Sequence, residues 1–291
     1  MNDIYLHIGF DKTGSTSIQK SLWRNRSRLR QSGILYPESG IESSHHVQLA
    51  RAVGLSWESG GDKSVFGLLK REIGDWQGDI IISSEHFTHR VKSDSVCRLL
   101  DNFSGYKINI IVYLRNQFDW LISLYKESIK WGNEKTLSDW VVGRNFDFSQ
   151  VISIWEKNVG ENNINVRSYD SCINIVSDFY SVVGVDVESD LERSNESFPD
   201  VVMEFWRLAN ASPEKKFGFR DAIELQKKFN HLDWKKIRCW SVPESFISQI
   251  DLLEEKNIYL SKKYRKNLFP KSIKEAMSDF LEKDFVSIND I

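Results

Sequence analysis

Near the start of the chain, Gly9-Phe10-Asp11-Lys12-Thr13-Gly14-Ser15-Thr16 combines two glycines, a lysine and three hydroxyls directly behind a short apolar run, Ile4-Tyr5-Leu6-His7-Ile8. Such a run ending at glycine reads as a buried strand, and a helical pattern begins at Ser17. A glycine-rich turn between strand and helix offers unpaired amides and the positive end of a helix dipole to an anion, and the lysine adds a full charge. Phosphate binding is the chemistry this supports. A second pair, Glu85 and His86, follows another apolar run, Asp79-Ile80-Ile81-Ile82-Ser83. In a parallel sheet the carboxyl ends of the strands share one edge, so Glu85 and His86 reach the same face as Lys12. Either can accept the proton that makes a hydroxyl nucleophilic.

The elements needed to hold these residues follow from periodicity. Two further strands are expected, Ile108–Leu114, rich in β-branched residues like Asp79–Ser83, and Asn163–Arg167, which precedes a helical pattern. Helical patterns follow the strands, one from Ser17 to Gly33 with Ile18, Leu22 and Leu29 on its apolar side, another from Asp170 to Val183 that Gly184 closes. Strands alternating with helices imply an α/β fold, a three-layer sandwich around a central parallel sheet. After about Ser189 the strand signals stop and helical segments take over at Pro199–Asn210, Arg220–His231, Pro243–Leu260 and Lys271–Lys283. No repeat or Pro/Gly-rich linker intervenes. The expectation is one domain over 1–291, with an α/β nucleotide-binding core at 1–188 and a mainly helical part at 189–291.

The Gly9 to Thr16 loop has the glycine spacing of a Walker A loop, but that motif places lysine directly after its second glycine, where this chain has Ser15. A P-loop nucleotide kinase or other phosphotransferase thus lacks the residue that bridges its β- and γ-phosphates. Lys12-Thr13-Gly14-Ser15-Thr16 instead resembles the 5′-phosphosulfate loop of the sulfotransferases that use 3′-phosphoadenosine 5′-phosphosulfate (PAPS). That family also places an Arg at the end of a central strand and a Ser eight residues on, both for the 3′-phosphate; here Arg115 and Ser123 stand eight apart. Gly33-Ile34-Leu35-Tyr36-Pro37, His45-His46, Ser83-Ser84-Glu85 and Arg193-Ser194-Asn195-Glu196-Ser197 are similar to the bacterial, carbohydrate-type members.

The resemblance implies a P-loop NTPase-like sulfotransferase fold and in-line transfer of a sulfuryl group from PAPS to a hydroxyl of a polysaccharide, oligosaccharide or glycolipid, without a metal. It assigns Lys12 to the leaving 5′-phosphate, whose cradle is the amides from Thr13 through Gly14 to Ser17 and the hydroxyls of Ser15 and Thr16. Glu85 is favoured as base by the Ser83-Ser84-Glu85 pattern, with His86 second; the alternative is that Glu85 pairs with Lys12 or Arg90 and orients them. One of His45 and His46, which open a short helix to Val53, contacts the sugar or serves as a rival base. Asn195 and Ser197 resemble a loop near the nucleotide, although Ser197 also suits a helix N-cap. A catalytically silent nucleotide-binding relative is the remaining alternative.

Composition narrows the partners. The chain has 291 residues with 39 Lys+Arg against 41 Asp+Glu, a net charge of −2, which argues against a long nucleic acid while leaving room for a local anion site. Eight Lys/Arg gather between Lys215 and Arg238, a stretch read as a solvated helix face or a further anion-attracting surface. The three cysteines, Cys97, Cys172 and Cys239, form no paired motif, which fits a reducing compartment. With no signal-peptide pattern and no transmembrane segment, the expected location is cytoplasmic, at most peripheral to the inner membrane. The ten tryptophans are expected mostly in the core, Trp120, Trp131, Trp140 and Trp155 falling at helical positions; Trp57, in a glycine-flanked loop, is expected exposed and able to stack on a sugar. His7 is expected buried, and His89 and His231 carry no signal.

Overall fold

The structure, a computed structural model, describes residues 2–58, 60–186, 197–213, 217–228 and 232–287. In chain order the elements begin β1 (Asp3–His7), α1 (Ser15–Arg24), α2 (Arg26–Gln31), β2 (Ile34–Leu35), α3 (Val47–Val53), α4 (Val65–Gly74) and β3 (Asp79–Ser83). They continue α5 (Ser93–Leu100), β4 (Lys107–Leu114), α6 (Gln117–Lys130), α7 (Leu137–Val141), α8 (Phe148–Val159), β5 (Ile164–Ser168) and α9 (Ile175–Val183). Last come α10 (Asp200–Asn210), α11 (Phe219–Lys228), β6 (Ile237–Arg238), α12 (Glu244–Ile247), α13 (Ile250–Lys263), α14 (Ile273–Leu281) and β7 (Asp284–Phe285). The chain forms two compact units: Met1–Arg115, Asp147–Glu192 and Leu260–Phe269 make the first, and Asn116–Phe146, Arg193–Tyr259 and Pro270–Ile291 the second. Compactness thus assigns 116–146 and 260–269 by space rather than by chain order.

The first unit holds a wholly parallel five-stranded sheet in the order β2-β3-β1-β4-β5. Register puts Ile4, Ile80 and Ile108 in one row and Leu6, Ile82 and Ile110 in the next on one face. Tyr5, Ile81, Ile111 and Tyr113 look the other way, into a core with Ile18 and Leu22 of α1, Leu29 of α2, and Phe179, Tyr180 and Val183 of α9. The opposite face is equally dry, Leu6, Ile82, Ile110 and Val112 all being fully buried; α8 packs on β4 and β5 there, α5 on α8 and α3 on α5. Burial on both faces explains why β3 and β4 carry continuous β-branched runs, while β5, at the sheet edge, alternates buried and half-buried positions. This is the expected α/β sandwich. The order places β1 between β3 and β4, so the chain switches direction across the sheet beside β1, where open α/β sheets form their crevice at the carboxyl edge.

Several expectations change in detail. The helix expected from Ser17 to Gly33 starts at Ser15 and breaks at Asn25, whose side-chain amide donates to Ser21 O (3.0 Å). Ile34-Leu35 is a strand pairing with Asp79-Ile80, too short to show a period. The Pro243–Leu260 pattern divides into α12 and α13, and strands return after Ser189 as the two-residue parallel pair β6 and β7.

In the second unit, aromatic rings carry the packing. Phe118 of α6 meets Phe246 and Phe280, Trp120 meets Phe146, and Tyr125 meets both Trp140 and Trp240. Asn116 caps α6 by accepting from Phe118 N (3.0 Å), and its amide donates to Lys271 O (2.9 Å). The buried Lys126–Asp200 ion pair (2.7 Å) fastens α6 to α10. Trp120, Trp140 and Trp155 are core residues as expected, but Trp131 is 84% exposed. It stands just past the end of α6, where the chain turns at Gly132 and no longer presents the helix's apolar side. Among the described residues no helix is long and apolar enough to cross a membrane.

Candidate functional site

The site is built on the carboxyl edge of β1, β3 and β4, all in the first unit. Beyond β1 the amide of Ile8 still donates to Ile111 O (3.0 Å), and Thr88 Oγ1 donates to Gly9 O (3.1 Å). Only glycine fits at position 9: a Cβ there would lie 2.4 Å from Ser15 Oγ and 2.9 Å from His7 Nε2. The loop then uses left-handed backbone at Lys12 (φ 61°) and at Gly14 (φ 82°), the cap of α1. For Lys12 that conformation costs about 1–2 kcal/mol, strain of a kind that gathers at ligand sites. Alternation of right- and left-handed residues is also how backbone anion nests are made. Thr13 Oγ1 and Ser15 Oγ both donate to Phe10 O (2.7 and 3.2 Å), pulling the loop tight.

These bonds redistribute the expected cradle. The Ser15 hydroxyl proton is committed to Phe10 O, and Ser15 is buried, so that side chain shapes the loop. The Ser17 amide is returned to Gly14 O (3.0 Å). The first-turn amides of Ser15 and Thr16 precede the ladder of α1, and the exposed Thr16 hydroxyl stays at the surface.

Arg115 follows β4 and donates from Nη1 to Lys12 O (3.1 Å), its guanidinium 5.1 Å from the Tyr169 ring. The Tyr169 amide in turn donates to Leu114 O (2.7 Å), continuing the β4–β5 pairing past the end of the strands. Arg115 is therefore joined to the lysine loop at the neighbouring strand end. Ser123 lies on α6 of the second unit.

Glu85 opens a 3₁₀ turn, Glu85–Thr88, that starts where β3 stops; Ser84 caps it by accepting from His86 N (3.3 Å). The Glu85 carboxylate accepts from Gln19 Nε2 of α1 at 2.6 Å and lies 3.5 Å from His45 Nδ1. Gln19 and His45, rather than Arg90, are its partners. His45 Nδ1 is also 3.3 Å from Ser84 Oγ. The His86 ring stands 5.6 Å from His45 and 4.5 Å from His89, with Nδ1 2.7 Å from Ser56 Oγ. Burial, followed by the neighbouring His89, pushes His86 below the usual imidazole value against the pull of Glu85.

His46, paired with His45 in the sequence, has a different position. It is fully buried; Nδ1 accepts from Ser83 N (3.1 Å), which leaves Nε2 to donate to Pro37 O (3.0 Å). Burial holds it down at about 4. It locks the end of β3 to the loop after β2 and offers nothing to a ligand, correcting its expected substrate role. The helix expected from His45 begins at Val47. Trp57 is 56% exposed as expected, but one of its faces is taken by His89, stacked 4.3 Å away.

Two site residues were missed in the sequence. His89 has a role after all, its Nε2 lying 2.9 Å from Asp11 Oδ2 in the lysine loop; its spacing of three from His86 on a turn was the available signal. Gln19 sits one helical turn after Ser15, on the side of α1 that faces the strand ends. Ser197 does not cap a helix, since the cap position of α10 falls at Pro199. Arg193 to Glu196, with Asn195, lie outside the described residues, as do Lys215, Lys216 and His231. Of the basic stretch, α11 buries only Ala222, consistent with a solvated face.

No family model matches the chain. A protein of Archaeoglobus fulgidus, described only as uncharacterized, is 27% identical over 126 residues, 42% of this chain and 34% of its own length; the chain spans about a third of that relative. Among solved structures, a sulfotransferase from Alicyclobacillus acidocaldarius is similar over 92% of this chain and 98% of its own, with 12% identity and a TM-score of 0.48. A structure from the PezAT chromosomal toxin-antitoxin system of Streptococcus pneumoniae is similar over 79% of this chain and 87% of its own, with 13% identity and a TM-score of 0.31.

Proposed function

We propose that this protein is a sulfotransferase that moves a sulfuryl group from PAPS to a hydroxyl of a carbohydrate acceptor. The observation that carries the reading is the junction of three strand ends: a strained lysine loop after β1, Arg115 bonded to that loop from the end of β4, and Glu85 held by Gln19 at the end of β3. A guanidinium beside a lysine and helix-end amides suits a ligand with two separate phosphates, and an oriented carboxylate beside them suits deprotonation of an alcohol. In this reading Lys12 meets the charge that develops on the leaving 5′-phosphate, Arg115 holds the 3′-phosphate, a role the family resemblance also gives Ser123, and Glu85 takes the acceptor proton. His45, 3.5 Å from that carboxylate, orients it or shares the proton. A nucleotide kinase reading finds Ser15 where its bridging lysine belongs.

The test is calorimetry with 3′-phosphoadenosine 5′-phosphate and with adenosine 5′-phosphate, followed by transfer of labelled sulfate from PAPS to a panel of bacterial glycans. The 3′-phosphate should strengthen binding at least tenfold, and Arg115→Ala should erase that difference. Equal affinity for the two nucleotides would sink the reading.

A further inference from the structure

An open cleft of about 410 Å³ lies beside β2, within the size range of small-ligand sites. Arg26 and Arg30 of α2 line one side, Tyr36 and Glu38 follow β2 on another, and Glu72 comes from α4. Its charges are unequally committed. Glu72 spends both carboxylate oxygens on the amides of Glu38 and Ser39 (2.7 and 2.8 Å), which fixes the turn after β2. Arg26 lies over the Trp23 ring and 3.5 Å from Glu38. Arg30 is propped over the Trp76 ring at 4.9 Å, exposed, and forms no ion pair among the described residues, although Glu38 and Glu72 line the same cleft. Two planar cations braced on indoles, one of them outside any ion pair and the Glu72 carboxylate spent on backbone amides, make a receptor for a single carboxylate. A phosphate dianion would meet Glu38 and Glu72 as well, so the monoanion fits better.

The cleft is tied to the candidate base. The Tyr36 hydroxyl donates to Ser44 O (2.8 Å), and the next residue, His45, is the one 3.5 Å from Glu85. The polar lining suits a sugar ring more than an apolar ligand. We infer that this cleft is an acceptor subsite for a uronic acid unit of an acidic glycan, with Arg30 and Arg26 gripping its carboxylate. This rests on the carbohydrate sulfotransferase reading and names its acceptor class.

The test uses the full chain without nucleotide, titrated with an oligosaccharide of alternating glucuronate and N-acetylglucosamine and with its carboxyl-reduced form. The uronate form should bind at least tenfold tighter. R30Q, on an exposed side chain, should remove most of that advantage while leaving the reduced form and 3′-phosphoadenosine 5′-phosphate unaffected, and R26Q should act the same way. Equal binding of the two oligosaccharides, no binding of either, or tighter binding of inorganic phosphate than of glucuronate would overturn the subsite. The wild-type comparison decides even where a variant folds poorly. Loss of nucleotide recognition with uronate discrimination intact would instead fail the sulfotransferase reading and leave an acidic-glycan site.

Discussion

Gln19 Nε2 donates to Glu85 Oε2 across 2.6 Å, so the helix that receives the lysine loop also fixes the carboxylate at the end of β3. A carboxylate held by one amide keeps its remaining lone pairs for a substrate proton, and its orientation depends on that amide. Gln19→Leu should lower kcat for sulfuryl transfer by roughly tenfold or more, a positioning effect, with nucleotide affinity changed less than about threefold. Gln19→Glu should be worse, since it sets a second carboxylate against Glu85. Equal losses in kcat and in nucleotide affinity would mean that Gln19 supports the loop instead.

Removal of the base itself should be more severe. Glu85→Gln is expected to cut kcat by about 10²–10⁴ with nucleotide binding retained. His86→Gln should cost much less, because its Nδ1 is engaged with Ser56 Oγ and its ring is packed between those of His45 and His89. The pH profiles of the two variants separate the roles: an acidic limb that persists in His86→Gln and vanishes in Glu85→Gln assigns the proton to the carboxylate. The reverse pattern would make the imidazole the base.

The loop glycines are not interchangeable. At position 14 alanine would keep a left-handed φ of 82° and bring its Cβ to 3.0 Å from Ile175 Cγ1 and 3.2 Å from the Tyr169 ring, contacts that side chains can relieve. Gly14→Ala should cost about 1–2 kcal/mol in a urea melt. At position 9 the obstacle is Ser15 Oγ at 2.4 Å, so the loop must shift. Gly9→Ala should therefore lose nucleotide binding by more than its loss of stability implies, and the pair Gly9→Ala with Ser15→Ala should recover part of it. No recovery would place the clash elsewhere.

How far the sequence displays this arrangement depends on element length. The strands at Ile4, Asp79, Ile108 and Asn163 are long enough to show apolar or alternating strand patterns, and with them came the parallel sheet and the shared edge for Lys12, Glu85 and Arg115. Ile34-Leu35, Ile237-Arg238 and Asp284-Phe285 have two residues each and no period to detect. The site's first line was legible because its residues sit directly after strands. Its second line was less so: Gln19 and His89 act through contacts 66 and 78 residues away in sequence, and only the spacing of His89 from His86 left a local trace. His45 and His46 show the same limit from the other side. Two identical neighbours separate because His46 is enclosed while His45 turns toward Glu85.

The same enclosure makes the fold acid-sensitive in a defined window. His46 and His7 are fully buried, and burial holds them at about 4 and about 3 against a usual value of 6.5. Between pH 6.5 and 4 the unfolded chain takes up a proton at each site that the folded chain refuses, so stability falls as pH falls. The slope approaches about 1.4 kcal/mol per pH unit for each histidine, a large share of a typical margin of about 5–15 kcal/mol. The urea midpoint should accordingly be flat above pH 7 and drop steeply below 6. His46→Gln keeps one acceptor for Ser83 N and one donor for Pro37 O while removing the titration. It should lower stability somewhat at pH 7.5 but flatten the dependence between pH 6 and 4.5 by roughly half. A variant with the parent's slope in that window would show that His46 is not one of the groups setting it.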